Sequence, residues 1–294
     1  MIHYKNNIDK ENFEVLTQGY VRSLMKDKDM MCDKNDNGRA LLVAGSHCMA
    51  GAAVMAARAC IRSGVGVLCV HVPRLCTGII QTLVPEAVVS EDENDEFFSH
   101  AKDVSRYDAV GVGPGLRCNG CTSSGLESLL QGSQKPLAID ADAINILSER
   151  KSLLSLLPKG SVLTPHKREL ERLVGCCSED AVLIARAGEL AAKYGIYIIA
   201  KGPHTRILTP EGCNYVNLAA NAGMAKGGSG DVLSGVLLAL LAQAYTSRDA
   251  ALISVFVHSL AGRMAARDKG IIGMNASDII DRLPEAWMSL MLKK

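Results

Sequence analysis

The 294-residue chain carries 32 basic and 31 acidic side chains, for a net charge of +1, and 48% of its residues are hydrophobic. This is ordinary globular composition, enough for one large α/β domain or two small ones. The near-balanced charge and 4% aromatic content exclude a basic nucleic-acid surface, a base-stacking platform or attraction to an anionic membrane as the organising function.

The opening stretch, MIHYKNNIDKENFEVL, has no apolar segment of a signal peptide, and no run of about 18 apolar residues follows. A cytoplasmic protein without a membrane span is expected. Its ten cysteines are scattered and should stay reduced; Cys60 and Cys69 lie in apolar runs, where cysteine acts as a small hydrophobe.

Residues 1–37 read as a polar lead with a helix around Asn12–Met25, and residues 38–294 as a single domain. Ala40–Ala44 is a short apolar run ending at Gly45-Ser46, which predicts a buried strand. Met49–Ser63 is rich in small residues and helical, and Val65–Val72 is the next strand. Strand, helix and strand make a βαβ unit, hence a parallel sheet. After a helix around Cys76–Leu83 and an acidic loop at Glu91–Glu96, the alternation resumes. The predicted strands are Ala109–Val112, Leu137–Ile139, Ser161–Leu163 and Ile196–Ala200, with helices at Thr122–Gln131, after Asp142, and at Ser178–Tyr194. Arg206–Leu208 and Cys213–Val216 pair as a hairpin around Thr209-Pro210-Glu211-Gly212. Three helices close the chain, at Asp231–Ala244, Arg248–Asp268 and Asn275–Arg282, with a final turn after Pro284. The fold class is therefore α/β, a mostly parallel central sheet with helices on both faces.

Five strands end in unusual turns: Gly45-Ser46, Gly113-Pro114-Gly115, Asp140-Ala141-Asp142, Thr164-Pro165-His166 and Lys201-Gly202. Ligands of parallel sheets gather outside the carboxyl ends of the strands, so all five should share one rim with Gly227-Gly228-Ser229-Gly230. That glycine turn opens the helix bearing Asp231 in its first turn. Glycines before a helix N-terminus aim backbone N–H groups at a common centre and suit phosphate. A carboxylate beside phosphate would repel it, which gives Asp231 the task of taking a proton from an attacking hydroxyl. Taken alone, the stretch reads equally as a glycine turn with an acid favoured at a helix start.

The other turns carry similar pairs of readings. Lys201-Gly202-Pro203-His204-Thr205 can hold phosphate or ribose oxygens, or be a polar turn before a hairpin. His166 can donate to a substrate oxygen or be a plain loop histidine. Asp140 and Asp142 face opposite ways in an extended turn, so that one approaches a ligand or Mg²⁺, or Asp142 caps a helix. Gly51-Ala52-Ala53 admits a ligand or a close helix. There is no G-x-x-x-x-G-K-[ST] loop, no G-x-G-x-x-G and no H-E-x-x-H. Cys118-Asn119-Gly120-Cys121 has no second pair to complete a zinc site.

Jointly, these stretches resemble the NAD(P)H-hydrate dehydratases of the ribokinase-like superfamily. The matches are GRALLVAGSHCMAGAAVMAARACIRSGVGV (38–67), GVGPGL (111–116), IDADAINIL (139–147), VLTPHKREL (162–170), KGPHT (201–205), AGMAKGGSGDVLSGVLLALLAQ (222–243), HSLAGRMAA (258–266) and NASDII (275–280). The resemblance implies a ribokinase-like fold and a repair lyase that dehydrates NADHX or NADPHX, the hydrated nicotinamide cofactors, at the expense of ADP or ATP with Mg²⁺ held mainly by phosphates. It implies that Asp231 is the catalytic base and that Ala53, Gly115, His166 and Asp231 contact the hydrate. Lys201, Gly202, Pro203, His204 and Thr205, with Gly227, Gly228, Ser229 and Gly230, would bind the nucleotide. A homotetramer is also implied, as is an epimerase on another chain, since only about 37 residues precede the first strand.

The chain departs from the family's pattern at Lys34-Asn35-Asp36-Asn37-Gly38, at Lys167-Arg168-Glu169 in place of Pro-Gly-Glu, and at Arg263 in place of Asp. The competing readings are an alcohol kinase of the same superfamily, such as a hydroxyethylthiazole kinase, and a nucleotide-binding protein without catalysis.

Overall fold

A computed structural model describes residues 13–291 apart from 28 and 102. In chain order the first elements are β1 (Phe13–Val15), α1 (Gln18–Leu24), β2 (Arg39–Val43), α2 (Ala50–Ile61), β3 (Val67–Val72), α3 (Thr77–Leu83) and β4 (Val88–Glu91). Then come β5 (Ala109–Val112), α4 (Gly120–Gly132), β6 (Leu137–Ile139), α5 (Ala141–Glu149), β7 (Val162–Leu163), α6 (Lys167–Val174) and α7 (Asp180–Tyr194). The last are β8 (Tyr197–Ala200), β9 (Thr205–Leu208), β10 (Asn214–Asn217), α8 (Ser229–Ala242), α9 (Ser247–Gly273) and α10 (Ala276–Met291).

The strands form one sheet in the order β1-β10-β9-β8-β7-β6-β5-β2-β3-β4. β9 is antiparallel to β8 and β10, and the other pairings are parallel. The central strands are unbroken apolar runs, as strands covered on both faces must be. Their side chains alternate between two cores. Ala40 and Leu42 pack with α2, α8, α9 and α10, whereas Leu41 and Val43 pack with α4, α5 and α7.

Helix α8 is the centrepiece of the first core. From Val232 to Ala242 every residue is buried, because α8 lies among α2, α9 and the sheet and has no wet face. Gly235 makes this possible. A Cβ there would lie 2.1 Å from the Ala56 carbonyl oxygen of α2, so the two helices pack nearly backbone to backbone. The N-terminus of α8 is thereby fixed at the rim of the sheet.

Four elements differ from expectation. The helix expected over Asn12–Met25 begins, within the described residues, as strand β1, which pairs with β10, and only α1 is helical. The edge strand β4, which pairs with β3, is not among the expected strands, and its last residue Glu91 belongs to the expected acidic loop. Helix α6, mostly charged, starts on a capping box at His166 and Glu169. Helix α10 runs through Pro284 to Met291 instead of stopping. Its apolar face, including Ile280, Leu283 and Leu290, is buried in the first core, which outweighs the hydrogen bond lost at proline.

Two glycine substitutions separate packing from propensity. Gly235→Ala should lower the unfolding free energy by about 1–3 kcal/mol through overpacking against Ala56. Gly188→Ala in α7, where a Cβ meets nothing within 4 Å, should raise it by about 0.5–1 kcal/mol. Urea titration at a constant m-value reads both; a tolerated Gly235→Ala would contradict the tight α2–α8 crossing.

Candidate functional site

Strands β8, β7, β6, β5 and β2 are consecutive in the sheet and mutually parallel. Their carboxyl ends therefore bring the five terminal turns onto one rim. Gly113, at the end of β5, has φ +134°, and a Cβ there would stand 1.8 Å from the Asp140 carbonyl oxygen. The β5 and β6 turns thus pack directly on each other. At the same rim Gly228, with φ +90°, caps α8; only glycine adopts this conformation readily. The first-turn N–H groups of α8 have no helical acceptors and face outward with the positive end of its dipole. Lys226 anchors the turn from behind, donating to the carbonyls of Ile272 and Met274 at 2.5 Å each.

Lys201 leaves β8 with its backbone N–H bonded to the Pro165 carbonyl and with His166, in the turn after β7, as its bridge partner. Its ammonium is 2.8 Å from an Asp140 carboxylate oxygen, and Ser234 of α8 donates to the other oxygen. Burial works against both charges. For Lys201, Asp140 and Glu169 more than offset it and hold the ammonium above its ordinary pKa. For Asp140, Lys201 and the hydrogen bonds hold the carboxyl below its own.

Asp231 behaves in the opposite way. Burial, with the Asp140 charge adding to it, pushes its carboxyl up to about 7 against the pull of Lys201. A base poised there matches neutral pH, where general-base catalysis is most effective. His166 is the N-cap of α6. Its Nδ1 accepts the Glu169 N–H at 3.2 Å, and Glu169 accepts the His166 N–H at 2.8 Å. Nδ1 is thus unprotonated, and Nε2 carries the proton of the neutral ring. Burial and Lys201 both lower the ring's pKa, and the Nε2 donor lies 3.4 Å from a Glu169 carboxylate oxygen. Lys167-Arg168 leaves this capping box intact.

A cavity of about 740 Å³ opens beside these groups, within the range of small-molecule sites. Its wall includes His166, Lys201, Gly202, Pro203, Thr205, Gly227, Ser229 and Gly230. His204, Gly228 and Asp231 adjoin that wall. Ala53 and Gly115 are not in it. Ala53 is fully buried, and Gly115 lies under Met49, whose carbonyl oxygen is 2.8 Å from where a Cβ on Gly115 would stand.

The sequence reading passed over three groups. Ser234 lies one turn beyond Asp231 and reaches Asp140. His258 of α9 approaches the Ser229 hydroxyl at 3.4 Å, and burial pulls its ring down to about 4, so it stays neutral. Asn217 is buried in the cavity wall and donates to Ser259 at 2.8 Å. Ser234 and His258 fall within quoted motif stretches, but only the packing of α8 and α9 reveals their contacts. Among the described residues no group of three or more His, Cys, Asp or Glu side chains is placed to hold a metal ion. That donor set fits a Mg²⁺ ion carried by phosphate oxygens better than one caged by protein. Among the described residues no helix is long and apolar enough to cross a membrane.

The profile of a family described as NAD(P)H-hydrate dehydratase matches residues 40–285. A bifunctional NAD(P)H-hydrate repair enzyme of Moorella thermoacetica is 34% identical over 95% of this chain and 54% of its own length; the chain spans about half the length of such curated relatives. The ADP/ATP-dependent NAD(P)H-hydrate dehydratase of Bacillus subtilis, crystallised with ATP and Mg²⁺, superposes with a TM-score of 0.82 at 28% identity, covering 95% of this chain and 99% of that one. A ribokinase-like superfamily protein of Enterococcus faecalis gives 0.83 at 26% identity, covering 99% and 98%.

Asp231 carries a stability signature. Between pH about 4 and 7 the unfolded chain ionises this group while the folded chain keeps it protonated. Folding then binds a proton, and stability falls as pH rises. Asp231→Asn should therefore melt at a higher temperature than the parent at pH 8, by a margin that shrinks towards pH 4.5. A margin independent of pH in thermal melts would contradict the raised pKa.

Proposed function

The chain belongs to the NAD(P)H-hydrate dehydratase family, and we propose that it returns the S epimer of NADHX or NADPHX to NAD(P)H with ADP or ATP as phosphoryl donor. The observation that carries this reading is a carboxylate with a pKa of about 7 in the first turn of a helix whose glycine cap and neighbouring Lys201 are built for phosphate.

In this reading Asp231 takes the proton of the hydrate hydroxyl. The freed oxygen attacks the terminal phosphorus of the nucleotide; the new O–P bond forms as the bridging P–O bond breaks, and the shortened nucleotide leaves. The α8 N–H groups and Lys201 hold the charge that spreads over the transferring oxygens. Elimination of phosphate, with loss of a proton from the adjacent ring carbon, restores the reduced nicotinamide. His166 contacts the hydrate, and Lys201–Thr205 with Gly227–Gly230 hold the nucleotide. A Mg²⁺ ion carried by the phosphates would neutralise their charge.

Ala53 and Gly115 are the remaining hydrate contacts of this reading, and Met49, at the start of α2, packs on Gly115. An epimerase supplies the S epimer, and the enzyme works in the cytoplasm as a homotetramer. Light scattering of the purified chain checks the assembly.

Purified protein with ADP or ATP and Mg²⁺ should regenerate reduced-nicotinamide absorbance from the hydrate. Asp231→Asn should lower kcat by at least about 10²-fold while leaving nucleotide affinity within a few-fold. A parent enzyme that ignored the hydrate with both nucleotides, yet phosphorylated another alcohol, would establish a kinase instead.

A further inference from the structure

Asp140 is outside the cavity wall, yet three elements meet on its carboxylate. It stands where β6 passes into α5. Lys201 comes to one oxygen from the end of β8, and Ser234 to the other from α8. Ser234 also lies 3.1 Å from the Gly230 carbonyl, so the same hydroxyl ties Asp140 to the turn that carries Asp231. Asp140 is 3% exposed, and its carbonyl is pressed against Gly113. It has no room to act as a base or to reach a substrate.

What Asp140 holds is in an unfavourable place. The Lys201 ammonium lies 3.2 Å from the point that a Cβ on Gly230 would occupy, at the N-terminus of α8. There the helix dipole repels a cation, and burial has stripped most of its water. The ion pair with Asp140 offsets both. A cation kept at that spot before any ligand arrives needs no reorganisation when an anionic phosphate does.

We propose that Asp140 is a positioning residue for the reaction: clamped by Ser234, its carboxylate stations the Lys201 ammonium at the mouth of the glycine turn and fixes the charge that Asp231 faces. Asp231 is faced by Asp140, Asp142 and Lys201, and Glu169 and His166 lie around Lys201. Of these, Asp140 is both an anion acting on Asp231 and the partner that keeps Lys201 in place. Its removal should therefore change the protonation of the base as well as the grip on phosphate.

The kinetic test rests on the dehydratase reading; the binding test does not. Asp140→Asn, Lys201→Met and the double variant are compared by kcat, KM, the pH profile of kcat/KM and calorimetric ATP affinity. Asp140→Asn should lower kcat about 10–100-fold and move the acid limb of kcat/KM down by about 1 pH unit. It should weaken ATP about tenfold, and the double variant should lose no more than Lys201→Met alone. An unmoved acid limb with parent kcat, or losses that simply add, would overturn the proposal. If Asp140→Asn fails to fold, Ser234→Ala decides. It leaves every charge in place and should lower kcat at least about fivefold in a protein that still melts cooperatively; parent kcat would overturn the proposal. If the parent turns over no hydrate, the dehydratase reading fails by itself, and ATP affinity alone judges Asp140, with parent-like binding in Asp140→Asn counting against it.

Discussion

A lysine ammonium at the positive end of a helix is stable only beside an anion, and the ion pair of Lys201 with Asp140 meets that constraint here. The two residues lie 61 apart in sequence and come from β8 and β6, which flank β7. The pair forms because the sheet places those strand ends next but one, and because α8 is packed deeply enough to bring Ser234 within reach of the same carboxylate. Pairing a buried charge seldom adds net stability over an apolar contact, but losing one partner is costly. The stability of this pair is thus tied to the architecture that surrounds it.

That architecture is set by close approach. Gly235 lets α8 press on α2, Gly113 lets the β5 turn press on the β6 turn, and Gly228 turns the chain into α8 with a positive φ. The Gly235 and Gly228 positions set the N-terminus of α8 at the rim where the strands end. The electrostatics follow from the depth that results. Burial raises Asp231 to about 7, whereas Lys201 keeps Asp140 ionised although it is more deeply buried. Two carboxylates of one site are pushed apart by their neighbours, the arrangement by which one serves as a titrating base and the other as a fixed charge.

Much of this was legible in the chain. The short apolar runs at Ala40–Ala44, Ala109–Val112, Leu137–Ile139 and Ile196–Ala200 could be strands only if covered on both faces, and such strands are parallel with their ligand side at the carboxyl ends. The turns at those ends therefore pointed to one rim, where the structure puts them. Elements whose reason for existing lies elsewhere were not legible. Phe13–Val15 reads as the start of a helix and becomes a strand only because β10 offers an open edge. Lys167–Val174 is mostly charged, and its start is marked by a histidine capping box in place of the usual serine or threonine. Pro284 reads as a stop until the apolar face of α10 is set against the core. Asp140 could be picked out as a residue of interest, but its partnership with Lys201 and Ser234 is a product of tertiary packing and has no local signature. Ala53 and Gly115 show the converse: motif position marks them, and burial covers them.

In the proposed reaction, dehydration is driven by phosphoryl transfer to the hydrate at the glycine turn before α8. The most direct measurement is the stoichiometry of inorganic phosphate released per reduced nicotinamide formed, with purified enzyme, the S hydrate and ADP or ATP. Phosphoryl transfer to the hydrate requires one phosphate for each NAD(P)H and none when the hydrate is left out. Recovery of NAD(P)H without nucleotide, or without matching phosphate release, would contradict it.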